Sequence, residues 1–423
     1  MSVGFGQALK VWLRIGCLSF GGPAGQIALM HRELVEERRW LSEKDYLAAL
    51  NFCMLLPGPE AMQLATYAGW KLHGVRGGLA AGLLFVIPGA LVVLALSMLY
   101  GAFGNLPWVA AIFFGVKAAV LAIVVEALMR VARRALKGAI DWLIAALAFL
   151  ALFAFGLPFP LIVIAAAIFG FLRGGEGAAS DGGPLPSLAG LARNLAVWGA
   201  LWLAPLAGLI LFLGPTHVLA EIGVFFSKLA VVTFGGAYAV LSYMGQAAVE
   251  QKSWLTPAEM MDGLALAETT PGPLILVTEF VGFLAAARAM GSLWAGLLGA
   301  LVTLWMTFVP CFLWIFAGAP YIEAIGRRPR LASALAAITA AVVGVILNLS
   351  LWFGLHVVFA GVARREGLFQ PWLPDWPSLD PAALVLSLLA GLLLLRFHFG
   401  IVRTLALCGL LGLLWRGFSA GFG

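Results

Sequence analysis

The sequence predicts an all-α polytopic membrane protein built from two antiparallel, inverted-topology repeats whose helices are broken or re-entrant. Three observations predict it. First, 62% of the 423 residues are hydrophobic and only 11% are charged, with a mean hydropathy of +1.01, too little polar surface for a soluble globule. Second, the same punctuation occurs twice: Phe20-Gly21-Gly22-Pro23 and Leu56-Pro57-Gly58-Pro59 return as Phe234-Gly235-Gly236 and Thr270-Pro271-Gly272-Pro273, each 214 positions later. Between Phe20 and Pro59 the second copy aligns without a gap and with twelve identities, among them Met30, Glu36, Trp40 and Leu50, the mark of one unit used twice. Third, one additional apolar span lies between the copies, and a single extra crossing reverses everything after it. Apolar stretches too long for the weak alternation of a barrel make the spans helical.

Val3 to Ser19 is an apolar segment carrying Lys10 and Arg14, without the basic leader and small-residue cleavage site of a signal peptide. After the Gly-Gly-Pro break comes a charged amphipathic stretch, His31 to Asp45. Tyr46 to Leu56 and Glu60 to Trp70 are apolar pieces of 11 residues each, about half of what a span needs. They therefore form either one interrupted span or a re-entrant hairpin around Pro-Gly-Pro. Gly77 to Tyr100, containing Pro88, and Pro107 to Leu128 are full-length spans. The cluster Arg130, Arg133, Arg134 and Lys137 that follows is the strongest cytoplasmic marker. Asp141 to Phe155 and Phe159 to Leu172 form a hydrophobic hairpin turning at Gly156 to Pro160. Gly- and Pro-rich residues 173–190 are linker-like. The expected organisation is a first repeat at 1–172, the linker at 173–190, the additional span at 191–216 and a second repeat at 217–423. Basic counts agree with inversion: Arg32 to Lys44 holds four Lys or Arg where Gln246 to Glu259 holds only Lys252, and Arg327, Arg328 and Arg330 outweigh Gly101 to Leu106, which has none. Inverted repeats with broken helices are the pattern of secondary transporters, with substrate bound near the midplane.

A helix break inside a membrane leaves backbone N–H groups unpaired at a partly positive helix end, a natural cradle for an oxyanion. Gly21, Gly22, Gly58, Gly235, Gly236 and Gly272 are the substrate-binding candidates on this argument. Pro59 and Pro273 suit a first helical turn, which needs no N–H. The plainer alternative is that these residues kink helices for packing. The repeat also pairs Arg14 with Lys228, each six residues before its Phe-Gly-Gly. Cations deep in apolar segments normally face a cavity or a partner, although a long basic stem can also snorkel to an interface. Lys117, near the middle of its span, is a third cationic candidate, for substrate or coupling. At an offset of 222, at which Pro88 matches Pro310, Lys117 falls opposite Thr339 and Glu126 opposite Asn348. Glu126 pairs more simply with Arg130, one turn on. Glu60 and Glu268, beside the two Pro-Gly-Pro steps, are candidate coupling carboxylates, although an acid at a helix N-terminus is stabilised there without any function.

Cys17, Cys53, Cys311 and Cys408 have no metal, redox or disulfide spacing. No clustered Asp or His set suggests a metal, no nucleophile–base arrangement suggests catalysis, and no cofactor is implied. The net charge of +6 is explained by basic loops on one membrane face and calls for no nucleic acid. An intramembrane enzyme and a structural scaffold are the rivals from other classes, and neither accounts for repeated breaks with buried cations.

Ser19-Phe20-Gly21-Gly22-Pro23-Ala24-Gly25-Gln26, Glu37-Arg38-Arg39-Trp40-Leu41 and Leu56-Pro57-Gly58-Pro59-Glu60-Ala61-Met62-Gln63-Leu64-Ala65 resemble the chromate ion transporter family, in its long two-domain type, over essentially the whole chain. The resemblance implies a bacterial or archaeal inner-membrane protein that exports chromate and confers chromate resistance. Sulfate, a tetrahedral dianion like chromate, is implied as a competing analogue, and a sulfate or other oxyanion transporter of the same architecture is the alternative. The partners expected are the oxyanion and the lipid bilayer, with a homodimer as a candidate assembly. The second copy departs at Ala237 for Pro23 and Leu274 for Glu60, so the two copies need not share roles.

Overall fold

The computed structural model describes residues 3–20, 22–104, 106–174, 188–232, 234, 237–321 and 329–420. Of the candidates above, Gly21, Gly235 and Gly236, most of the linker (175–187), and Arg327 and Arg328 lie outside the described residues.

The described chain is almost entirely helical, and its element order repeats. In the first copy α1 (Phe5–Leu18) is followed by α2 (Gly22–His31), α3 (Glu43–Leu55), α4 (Glu60–Phe103), α5 (Pro107–Ala135), α6 (Ala139–Phe153) and α7 (Phe159–Arg173). After α8 (Leu188–Leu213) come α9 (Val218–Val232), α10 (Ala237–Gln246), α11 (Pro257–Thr269), α12 (Val277–Ala289), α13 (Leu293–Gly318) and α14 (Pro329–Val358). A two-stranded antiparallel hairpin, β1 (Val362–Arg364) with β2 (Trp372–Pro374), then precedes α15 (Pro381–Gly391) and α16 (Ile401–Ala420). At an offset of 214 the bounds of α3 fall on those of α11, and at 222 the first residue of α5 falls on that of α14 and that of α7 on that of α15. The copies part company once: α6 corresponds to the hairpin.

Local chemistry sets these ends. Ser42 caps α3 by accepting from the Asp45 N–H, whereas α11 opens on a reciprocal box in which Glu259 accepts from Thr256 N–H and Thr256 from Glu259 N–H. Pro107 occupies the first turn of α5, and Arg133 and Arg134 close its last turn against the negative helix end. A shared device ends the amphipathic stretch of both copies. The helix loosens into a π turn and closes on a residue at positive φ, Arg39 (53°) and Ser253 (52°), with Trp40 N–H bonded to Leu34 O and Trp254 N–H to Ala248 O. This is a Schellman-like closure widened by one residue by the π turn, made without glycine.

Among the described residues five helices are long and apolar enough to cross a membrane: α4, α5, α8, α13 and α14. α4 is two limbs, since His73 and Gly74 depart from helical geometry. The short apolar limb after Pro59 and the longer one containing Pro88 are therefore separate, as the sequence predicts. The additional span α8 begins a few residues before its apolar core, is the least buried of the five, and presents a face rich in exposed Leu and Phe.

Contacts divide the chain into two compact units. The first comprises Met1–Met98, Arg173–Ala237 and Thr270–Ala332; the second comprises Leu99–Leu172, Tyr238–Thr269 and Ser333–Gly423. Each unit draws on both copies. The core of the first is built around α12 and α13, where Gly282 and Gly299 let the two backbones approach closely. The second is centred on α5 packed against α16, where a Cβ on Gly115 would strike the Cys408 carbonyl.

Candidate functional site at the helix breaks

Three of the breaks fall among the described residues, apart from Gly21, and all lie in the first unit. At the first, Ser19 ends α1 by donating its hydroxyl to Ile15 O (2.6 Å), and Gly22 takes φ +72°. The chain's second Pro-Gly-Pro meets this break directly. Gly272 N–H donates to Ser19 O (2.9 Å), and the buried Gln26 amide donates to Gly272 O (2.6 Å) and Ser19 O (3.3 Å). A break of one copy is thus stitched to the other break of the second copy. At the first Pro-Gly-Pro, Gly58 has φ +119° and Gln63 Nε2 donates to Pro57 O (2.7 Å). A Cβ on Gly58 would meet Gln63 Nε2 at 2.7 Å and Cys311 Sγ at 2.9 Å.

The contacts are reciprocal. Gly58, of the first copy, touches Cys311 on α13, and Gly89 on α4 is pressed against the carbonyl of Pro271, in the second copy. Cys311 is the counterpart of Gly89 at offset 222, and Gly272 of Gly58 at 214. Reciprocity of this kind is what a two-fold relation produces.

The chemistry differs from break to break. Gly272 N–H is already donated, so it is not a free donor for an anion. The first-turn amides of Glu60, Ala61 and Met62 have no intrahelical acceptor. Gln26 Oε1 and Gln63 Oε1 are buried and, among the described residues, have no hydrogen-bond partner. So are both carboxylate oxygens of Glu279, which is fully buried. Glu60 is partly buried at the start of α4, whereas Glu268 is buried near the end of α11, in the second unit.

The cations are placed differently. Arg14, its side chain about half exposed, sets its Nε 3.5 Å from Glu33 Oε1; Glu33 is fully buried and also binds Arg38. Lys228 is exposed on α9. Lys117 belongs to the second unit, where its Nζ lies 3.4 Å from Asp262 Oδ1 while Tyr100 OH donates to Asp262 Oδ2 at 2.7 Å. Glu126 pairs with Arg130 one turn along α5, as expected. Asp262, Tyr100, Gln26 and Cys311 were not singled out from the sequence. For Asp262 a signal existed: a cation in mid-span demands a carboxylate, and α11 carries three, Glu259, Asp262 and Glu268.

The comparisons agree with this architecture. The chain matches the family described as Chromate transporter over residues 6–171 and 220–413, one match in each copy. It is 30% identical over 391 residues to a protein of Synechococcus elongatus named as a probable chromate transport protein, covering 92% of this chain and 95% of the relative. It is 32% identical to the chromate transport protein of Cupriavidus metallidurans over 80% of each chain. Against the chromate transport protein of Pseudomonas aeruginosa it is 35% identical over 80% of this chain and 79% of the relative. No solved structure matches. On the family match, the coverage of full-length relatives and the five apolar spans, the chain belongs to the chromate transporter family, as a multi-pass membrane transport protein and not an enzyme.

Proposed function

We propose that this protein is a secondary transporter that carries chromate out of a bacterial or archaeal cell across the inner membrane and thereby confers chromate resistance. One observation carries the reading: the Ser19–Gly22 break of one copy and the Pro271–Pro273 break of the other are bonded to each other through Gly272 N–H and Gln26. Broken helices meeting at the junction of two repeats form the kind of site that secondary transporters use. The reciprocal Gly58–Cys311 and Gly89–Pro271 contacts support a two-fold relation, and the basic-loop counts support its being an inverted one.

In this reading the oxyanion is held at the breaks of the first unit, by Gly21, Gly22, Gly58, Gly235 and Gly236 and the amides that follow them, with Gly272, its own N–H given to Ser19 O, shaping the wall of the site and Arg14 and Lys228 supplying positive charge. Lys117 is a separate station for the anion, in the second unit. Glu60 and Glu268 are the proposed coupling carboxylates. Export is downhill electrically, since a dianion leaving a negative interior gains about 4.6 kcal/mol per 100 mV.

The test is chromate uptake into everted membrane vesicles, with potential and pH gradient imposed independently and sulfate as competitor. Potential-driven uptake blocked by sulfate is expected. Absence of uptake in vesicles shown to hold folded protein would overturn the substrate assignment, and normal uptake by Arg14→Gln and Lys228→Gln would remove those cations from the site.

A further inference from the structure

The hairpin that replaces a helix in the second copy builds a polar pocket. Arg364, on β1, is held from three sides. Its Nε donates to Gln370 O (3.3 Å), its guanidinium lies 5.5 Å from the Trp372 ring centre, and Nη1 is 3.3 Å from Glu250 Oε2. Glu250 sits in the π turn after α10, outside the five long spans. Tyr243, Gln246 and Gln251 join it on one wall, and the α6–α7 turn at Gly156 forms the opposite wall. Gly156 has φ +62°, and a Cβ there would collide with the Arg364 guanidinium. The pocket encloses about 220 Å³, ample for a tetrahedral oxyanion with part of its hydration.

The ion pair inside it is incomplete. Glu250 Oε1 is buried and, among the described residues, makes no hydrogen bond of ordinary geometry, the Trp352 indole N–H beside the carboxylate being itself unbonded. An arginine fork suits tetrahedral oxyanions as well as carboxylates, so Glu250 occupies the position of such a ligand. We propose that this pocket is an oxyanion-docking vestibule in which Glu250 holds Arg364 when the pocket is empty and, on taking a proton from the aqueous phase, releases it to a tetrahedral dianion. The O–H bond forms on Glu250, the ion pair breaks, and the dianion takes the carboxylate's place at the guanidinium. The proposal rests on the oxyanion-transport reading.

Burial pushes the Glu250 carboxyl up to about 7, with the Arg364 guanidinium and then the Trp352 indole N–H opposing the shift. The other charged or titratable groups on the surrounding elements are Tyr243 and Lys252 on the α10 side, Asp141 on α6, Arg173 on α7, Arg330 and His356 on α14, and Arg365, Glu366 and Asp375 about the hairpin, and the α6–α7 turn at 154–158 contributes none. The amide neighbours Gln246 and Gln251 do not titrate.

The test uses the full-length protein in detergent with sulfate, which stays a dianion from pH 6 to pH 8, at constant ionic strength and with chloride as control. Sulfate affinity is read from thermal stabilisation. A group titrating near 7 is about nine-tenths protonated at pH 6 and about one-eleventh at pH 8, so wild-type affinity is expected to fall about tenfold between them. Glu250→Gln is expected to bind at pH 8 as tightly as wild type at pH 6, without pH dependence. Arg364→Gln is expected to lose the pH-dependent component; where it does not fold, Arg364→Lys keeps the pH dependence with weaker binding. A merely structural ion pair would not move the pH profile. No stabilisation by sulfate at either pH, or an about tenfold pH dependence that survives in Glu250→Gln, overturns the vestibule. Wild-type chromate uptake in vesicles separates the cases: if uptake is normal only the vestibule falls, and if it is absent the transport reading falls with it.

Discussion

Lys117 and Asp262 form a pair that neither residue could leave without consequence. Asp262 is buried and, among the described residues, receives only Lys117 and the Tyr100 hydroxyl, while Lys117 keeps 21% of its side chain exposed. Lys117→Gln strands a buried carboxylate and is expected to destabilise by about 3–5 kcal/mol. Asp262→Asn leaves the more exposed partner unpaired and should cost less. The double variant should be more stable than the two single losses added together, because neither charge is then stranded; a thermal unfolding cycle in detergent measures this. At Gly58 two constraints coincide, a φ of +119° and the occupied space beside Gln63 and Cys311. Gly58→Ala is therefore expected to lose about 2 kcal/mol or more, read as a lower unfolding temperature.

At the scale of elements, Gln26 is the clasp between two breaks, and its amide works only as a donor. Gln26→Ala is expected to cost about 1–3 kcal/mol by leaving the Ser19 and Gly272 carbonyls short of a donor. Gln26→Glu should be worse, because an ionised carboxylate would face two carbonyl oxygens in a buried place; comparing vesicle uptake and unfolding temperatures of the two variants decides it. Much at this scale was legible beforehand. The Pro-Gly-Pro steps, the two short limbs around them and the hairpin at Gly156 follow from punctuation and length, which are local. What was not legible is pairing at a distance. Asp262 is one of three acids in α11, with Glu259 and Glu268, and nothing singles it out until α5 and α11 pack together; nor does any periodicity mark Gln26, on α2, as the partner of Gly272. The hairpin at Val362–Pro374 was equally unannounced, since the repeat itself suggests a helix there.

At the scale of the whole molecule, the copies recognised in the sequence are not the compact units. Residues 238–269 belong to the second unit, whereas their first-copy counterparts 24–55 belong to the first. The pH response also belongs to this scale, because global unfolding releases Glu250. A carboxyl raised from 4.5 to about 7 in the fold favours the folded state below about pH 4.5 relative to neutral pH, and that advantage is lost as pH climbs from about 4.5 to about 7. The size is up to about 3 kcal/mol, and the midpoint of thermal unfolding should fall over that window less steeply in Glu250→Gln than in wild type.

The clasp also sets a schedule for biogenesis. Gln26 and its acceptor Gly272 lie 246 residues apart. At about 5–20 residues per second of synthesis, roughly 12–50 s pass before the partner exists. For that interval the nascent N-terminal half holds an open break in which Gln26 lacks its Gly272 carbonyl and Ser19 O lacks the Gly272 N–H. An insertase or chaperone that shelters such segments therefore has a defined client and a defined time at which to let it go.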